Sequence, residues 1–452
     1  MASDTISAIA TPAGTGGIGV LRISGPDSAY IAEQLTGQPV PPPRLAALRT
    51  FRDATGAPID RGLLLFFNAP HSYTGEDVLE LHAHGGRVLL DLLFDATLAC
   101  GARAANAGEF TERAFLNGKL DLAQAEAVAD LIEAASGAAA RSAHRSLQGQ
   151  FSARIESLSK ALIALRAHVE AIIDFPDDEV ELLADGAVRA RIDEVITELV
   201  SVLATAEQGA RVRDGLHVVL VGAPNVGKSS LMNALSHTDA ALVTPVPGTT
   251  RDLIRESFTI DGVAVTLTDT AGLRATDDLV EQLGNERARD ALRSADIVLL
   301  VTDAELPPPA AELYGALVGN LEFTDDKRLP ELIYIQNKID LFREQPAAAG
   351  VAEVQVSALT GEGLATLREC IVKRSGHTGG EPAFSARRRH VQALSDSLAA
   401  LGRAADLMLP DPPIELISEE LRASHEALQS ITGRFTTEDL LGQIFASFCI
   451  GK

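Results

Sequence analysis

Apolar and polar positions change period three times along the chain, and each change marks a different architecture. Through the first 118 residues the apolar runs are short, at 18–23, 63–67 and 78–81, and are separated by Gly, Pro and Asn. Such runs predict strands. One helix is expected among them over 87–100, closed by Gly101. The first unit therefore reads as α+β. Beyond Lys119 apolar residues recur at steps of three or four. Leu147, Phe151, Ile155, Leu158, Leu162, Leu165, Val169 and Ile172 trace one stripe on a long helix. Val188, Ile192, Val195, Leu199 and Val202 trace a second, and Val391, Leu394, Leu398, Leu401, Ala405 and Met408 a third. A helix cannot leave such a stripe in water, so helices on both sides of 215–376 are expected to share one bundle. Between them, strands predicted at 218–221, 263–268, 297–301, 332–335 and 354–356 alternate with helical stretches, the pattern of a parallel sheet covered on both faces. The expected organisation is a multidomain α+β and α/β chain. It has a first domain at 1–118, a discontinuous helical domain at 119–214 and 377–452, and an α/β domain inserted at 215–376.

Composition narrows the classes. With 452 residues the chain exceeds one core, and 46% apolar with 22% charged residues is a folding mixture. The net charge of −23 is spread so that none of the four stretches is basic. That excludes a dedicated electrostatic nucleic-acid module and leaves any RNA contact to local spots such as Arg387, Arg388 and Arg389, or to a partner. Cys100, Cys370 and Cys449 form neither a disulfide framework nor a metal spacing. Asp4 stands where a secretion signal would be basic, and no run approaches a membrane span. A cytoplasmic protein without a membrane segment is expected. The acidic run Asp174, Asp177, Asp178, Glu179 and Glu181, broken by Pro176, reads as a solvated turn.

The chemistry concentrates in the inserted domain. Gly222-Ala-Pro-Asn225-Val226-Gly227-Lys228-Ser229 matches GxxxxGK[ST] after an apolar strand and before a helical run. Its amides can turn toward phosphate oxygens, Lys228 adds a point charge, Ser229 can hold Mg²⁺, and Ser230 continues the binding turn. Asp269-Thr270-Ala271-Gly272 follows a strand, so its carboxylate can reach the metal's water shell and Gly272 the γ-phosphate. Asn337-Lys338-Ile339-Asp340 ends another strand, and a carboxylate at Asp340 can accept two N–H groups from guanine that adenine lacks. Ser357-Ala358-Leu359 supplies a backbone contact to the guanine oxygen. Thr244-Pro245-Val246-Pro247-Gly248-Thr249-Thr250 reads as a switch loop in which Thr250 completes the Mg²⁺ shell. GTP with Mg²⁺ is the expected ligand of this Ras-like P-loop G domain.

After Asp-Thr-Ala-Gly, Leu273 stands where Ras-like GTPases carry a water-positioning Gln. Asn225 in the loop, Gly-Thr-Thr-Arg-Asp at 248–252, and Leu273 together resemble potassium-activated GTPases. That resemblance implies K⁺ at Asn225, Thr244, Val246 and Thr249, adding positive charge where an arginine finger would. Two further signatures, Ser72 to Gly86 and the tail Phe448-Cys-Ile-Gly-Lys452, extend the likeness to the whole chain. It resembles the MnmE (TrmE) family of tRNA modification GTPases, within the TrmE-Era-EngA-like group. The resemblance implies that Glu281 orients the attacking water and that Cys449 has a catalytic part. It also implies that the first domain is a dimerisation domain binding a tetrahydrofolate derivative (5,10-methylene or 5-formyl) through Arg22, Glu80, Lys119 and Lys452. Implied partners are a second copy, the flavoprotein MnmG in a heterotetramer that carries the FAD, and tRNA modified at the wobble uridine.

Two alternatives stand beside this reading. A ribosome-assembly GTPase of the Era or Der type shares Pro-Asn-Val-Gly-Lys-Ser, but usually adds a basic RNA-binding module. A non-enzymatic scaffold would use GTP only to set the shape of a dimer.

Overall fold

The structure, a computed structural model, describes residues 4–174, 187–236, 254–260, 262–269, 286–303, 330–341, 354–374, 382–408, 412–433, 438–446, 448, 449 and 451. The chain begins β1 (Ile6–Ile9), β2 (Gly16–Ser24), α1 (Ser28–Thr36), β3 (Ala47–Arg52), β4 (Pro58–Phe67), β5 (Val78–Gly85), α2 (Arg87–Ala99), β6 (Arg103–Ala104) and α3 (Glu109–Leu116). Helices α4 (Leu122–Glu133), α5 (Gly137–Leu147), α6 (Gln150–Asp174) and α7 (Ala187–Asp214) follow. Then come β7 (Leu216–Val221), α8 (Lys228–Ser236), β8 (Ile254–Ile260), β9 (Val263–Asp269), α9 (Glu286–Ser294), β10 (Ile297–Asp303), β11 (Glu331–Asn337), β12 (Val354–Gln355) and α10 (Leu364–Arg374). The last helices are α11 (Arg388–Asp406), α12 (Ile414–Thr432) and α13 (Glu438–Ala446). Two compact units result, one of 1–129, 146–200 and 392–452, the other of 130–145 and 201–391.

In the first unit six strands pair in the order β3-β4-β5-β2-β1-β6, antiparallel except for β1 with β6. Side chains alternate across the pleat. Leu21, Ile23, Leu64, Leu79 and Leu81 face α1 and α2, whose Ile31, Leu35, Leu90 and Leu93 close that core. Arg22 and Glu80, in register on β2 and β5, fall on the opposite face. The helix expected at 87–100 is α2; Cys100 caps it, and Gly101 takes the left-handed turn at φ 105°. The long stripe needs one correction. Leu147 ends α5, and the long helix starts only at Gln150, because Gly149 at φ 86° breaks the helical path between them. From Phe151 to Ile172 the stripe is buried as predicted, and α6 packs on α12. Arg189 of α7 also donates to the Ala405 carbonyl of α11 at 2.7 Å, so a helix that precedes β7 meets one that follows α10.

In the second unit the sheet order is β12-β11-β10-β7-β9-β8, parallel but for the β8–β9 pair. Its central strands β7, β10 and β11 are apolar on both faces, as a sheet covered by helices requires. β7 is flanked by β9 on one side and β10 on the other, so chain order reverses there. That reversal opens a crevice beyond the carboxyl ends of the strands. Of the acidic run, Asp174 is the last residue of α6, and Asp177, Asp178, Glu179 and Glu181 lie outside the described residues. Among the described residues no helix is long and apolar enough to cross a membrane, and no cluster of three His, Cys, Asp or Glu side chains could hold a metal.

Candidate functional site

The phosphate loop leaves β7 at Val221 and enters α8 at Lys228. Asn225 and Gly227 adopt φ of 62° and 93°, left-handed values that curl successive amides toward one side. Gly222 must be Gly because a Cβ there would lie 2.2 Å from the Val301 carbonyl oxygen of β10. Lys228 is 5% exposed, and its Nζ donates to the carbonyls of Gly222 at 2.7 Å and Ala223 at 2.8 Å. Burial lowers its pKa, and the nearby Asp269 charge opposes that shift only in part. A buried ammonium so placed gains from an anion in the loop.

Asp269, the fully buried last residue of β9, accepts from Ser229 Oγ at 2.9 Å. This hydroxyl and carboxylate next to Lys228 are the hard oxygen donors that Mg²⁺ prefers. The other metal and switch positions, Thr244 to Thr250, Thr270 to Gly272 and Glu281, lie outside the described residues. Of the four positions named for K⁺, the structure describes Asn225, which is exposed on the loop.

The guanine elements meet the phosphate loop through one side chain. Asn337 is 1% exposed; its Nδ2 donates to the Val226 carbonyl at 2.9 Å, and its Oδ1 accepts from the Ala358 N–H at 3.1 Å. Asp340 Oδ1 accepts from Ser357 Oγ at 2.6 Å, and Ser357 Oγ in turn accepts from the Thr360 N–H at 3.1 Å. Lys338 sits between them at φ 63°. Because Asn337 holds the Ala358 N–H, the amide of exposed Leu359 is the donor in that turn without a partner among the described residues. Asn337 is legible in the sequence as a motif residue, but its bridging role is not.

In the first unit, Arg22 Nε and Nη2 donate to Glu80 Oε1 at 3.0 and 2.9 Å. The Arg22 guanidinium lies 5.5 Å from the Tyr73 ring centre and 5.9 Å from that of Phe110. Sequence reasoning missed both rings, although Tyr73 falls inside the 72–86 signature. Lys119 Nζ instead donates to the Pro70 carbonyl at 3.0 Å. Lys452 lies outside the described residues. Cys449 is exposed rather than a small buried apolar side chain. Its tail is anchored around it: Phe448 packs on Phe445, Gly108 donates to the Cys449 carbonyl, and Gly451 is buried against Ile9. Arg387 is not a free basic spot, since its guanidinium donates to Asp130 at 2.7 Å.

Residues 5–119 match the sequence model of the GTP-binding protein TrmE N-terminus, and 122–449 match that of the MnmE helical domain. A protein of Methylococcus capsulatus named tRNA modification GTPase MnmE is 52% identical over 99% of both chains. The chain belongs to the MnmE family. MnmE proteins of Azoarcus sp. (51%, covering 99% of this chain and 98% of that one) and Stutzerimonas stutzeri (50%, covering 100% and 99%) are as similar. Likeness from end to end to MnmE proteins sets aside the Era or Der alternative.

Proposed function

We propose that this chain, a tRNA modification GTPase, hydrolyses GTP with Mg²⁺ and K⁺ in the crevice beyond β7, β9 and β11 and couples that cycle to wobble-uridine modification. One observation carries the reading. Lys228, the Ser229–Asp269 pair, Asn337 and Asp340 converge at the carboxyl ends of one parallel sheet.

The amides turned by Asn225 and Gly227 receive phosphate oxygens, and Lys228 exchanges its loop carbonyls for them. Asp340 accepts guanine N–H groups, and the Leu359 amide meets the guanine oxygen. Asn337 keeps the base side and the phosphate side in register. Water attacks the γ-phosphorus, the bond to the β-bridging oxygen breaks, and GDP and phosphate leave; Glu281 orients that water. Ser229 and Thr250 would hold Mg²⁺, and Asn225, Thr244, Val246 and Thr249 would hold K⁺. Both ions supply positive charge where negative charge develops.

The first domain, as we read it, dimerises and binds a tetrahydrofolate derivative at Arg22, Glu80, Lys119 and Lys452. The partly exposed Arg22–Glu80 pair supports this, because a guanidinium suits folate carboxylates and a carboxylate accepts pterin N–H groups. Bound there, a methylenetetrahydrofolate would supply the one-carbon unit for C5 of the uridine, with the FAD carried by the partner MnmG. Cys449, exposed on an anchored tail, takes part in that transfer. The reading places the protein in the cytoplasm.

Lys228→Ala should abolish GTP hydrolysis, and normal turnover would remove the nucleotide assignment. Equal turnover in K⁺ and Na⁺ at matched ionic strength would remove the ion. Cys449→Ser should keep hydrolysis and lose modification. Full modification by a hydrolysis-dead Glu281→Ala variant would favour the scaffold reading.

A further inference from the structure

Within the second unit the chain leaves α7 for the sheet at Asp214 and, after α10, runs through 382–387 into α11. One buried carboxylate holds both crossings. Asp130, near the end of α4, is 6% exposed. Its Oδ1 accepts from Arg213 Nε at 2.7 Å and from Arg387 Nε and Nη2 at 3.1 and 2.7 Å. Arg213 stands three positions before β7, the strand that carries the phosphate loop. Arg387 stands immediately before α11. Burial weighs against the Arg213 charge, yet the Asp130 carboxylate holds the guanidinium above its usual value.

The returning segment is seated rather than loose. Phe384, Ser385 and Ala386 are 2%, 3% and 1% exposed. Arg145 of α5 donates to the Pro382 and Ala383 carbonyls at 2.6 and 3.0 Å, and the Ser385 N–H donates to the Ser142 carbonyl at 3.3 Å. Gly209 of α7 approaches so closely that a Cβ would lie 2.3 Å from the Phe384 carbonyl oxygen. Two cations share this one buried anion, and Arg213 also donates to Asp214. Removing the Asp130 charge therefore loosens both crossings at once.

We propose that Asp130 is a latch that transmits nucleotide-driven motion, pinning the chain before β7 and the chain before α11 to one carboxylate. Movement of the phosphate loop along β7 is then delivered to the helices and not absorbed in the two connections. This rests on the reading that GTP hydrolysis drives tRNA modification.

The test uses full-length Asp130→Asn, which keeps the shape and removes the charge. Amides 382–391 should exchange hydrogen about tenfold faster or more, as local opening becomes easier. GTP turnover should stay within about threefold of the parent while wobble-uridine modification in cells, read by mass spectrometry, falls about tenfold. Unchanged exchange, full modification, or hydrolysis falling in step with modification would each overturn the latch. Should Asp130→Asn not fold, Arg387→Lys keeps the charge but loses the fork, and intermediate exchange and modification are expected; parental values in both would overturn the proposal. Modification that survives Lys228→Ala would instead refute the GTP-driven reading itself, so the two failures are distinct.

Discussion

Asn337→Ala tests whether the guanine and phosphate elements are one structure. The side chain is almost fully buried, and its loss strands the Val226 carbonyl and the Ala358 N–H. The stranded buried Val226 carbonyl costs about 1–3 kcal/mol and the part-buried Ala358 amide adds less, so the change costs about 2–4 kcal/mol. For a unit of this size that lowers the melting temperature by roughly 4–16 °C. The phosphate loop also loses its brace, and each ~1.4 kcal/mol of lost ordering weakens guanine-nucleotide binding about tenfold. Melting of the full chain with and without GDP, together with titration of a fluorescent GDP, reads both effects. Asn337→Asp sharpens the test, since it keeps an acceptor for Ala358 but sets an oxygen against the Val226 carbonyl. It should bind no better than the alanine variant. Gly227→Ala belongs to the same knot, because its Cβ would lie 2.4 Å from Asn337 Nδ2. The two alanine changes should therefore not add. Parental melting and affinity in Asn337→Ala would refute the bridge.

Gly222→Ala should depress nucleotide binding and melting together, since its Cβ meets backbone at Val301 and cannot swing away; parental binding would contradict the close approach. Burial pushes the Glu109 carboxyl up, but hydrogen bonds from Arg103, the Asn106 N–H and Arg113 outweigh it and hold its pKa below the usual value. Its contribution is thus present above the unfolded value of about pH 4.3 and lost as pH falls through the lower folded value. Melting followed from pH 7 to pH 3 should drop at the acid end, and Glu109→Gln should flatten that drop. Phe445, 2% exposed between Phe115 and Phe448, anchors the tail. Phe445→Ala should cost about 3–5 kcal/mol in melting and speed hydrogen exchange at 448–451, and slow exchange there would show the tail held by other contacts.

Much of the fold is legible because it is local. The stripe from Phe151 to Ile172 announces a buried helical face, and a strand, a GxxxxGKS turn and a helix announce the phosphate loop, since these depend on residues a few positions apart. Leu147 belongs to α5 although its spacing joins it to the α6 stripe, because the left-handed φ of Gly149 separates the two helices without interrupting the apolar period. Arg387 reads as a free basic spot because nothing near it in sequence balances its charge.

The sequence by itself determined which chemistry is present: a loop able to bind phosphate, carboxylates able to select a metal and guanine, and a chain alike from end to end to MnmE proteins. Tertiary structure alone decided how those groups are paired. Arg22 meets Glu80 across 58 residues, Asn337 meets Val226 across 111, and Arg387 meets Asp130 across 257. The apolar period reports which face of an element is covered but not by what. A charge finds its partner only when the packing of distant elements has excluded water between them.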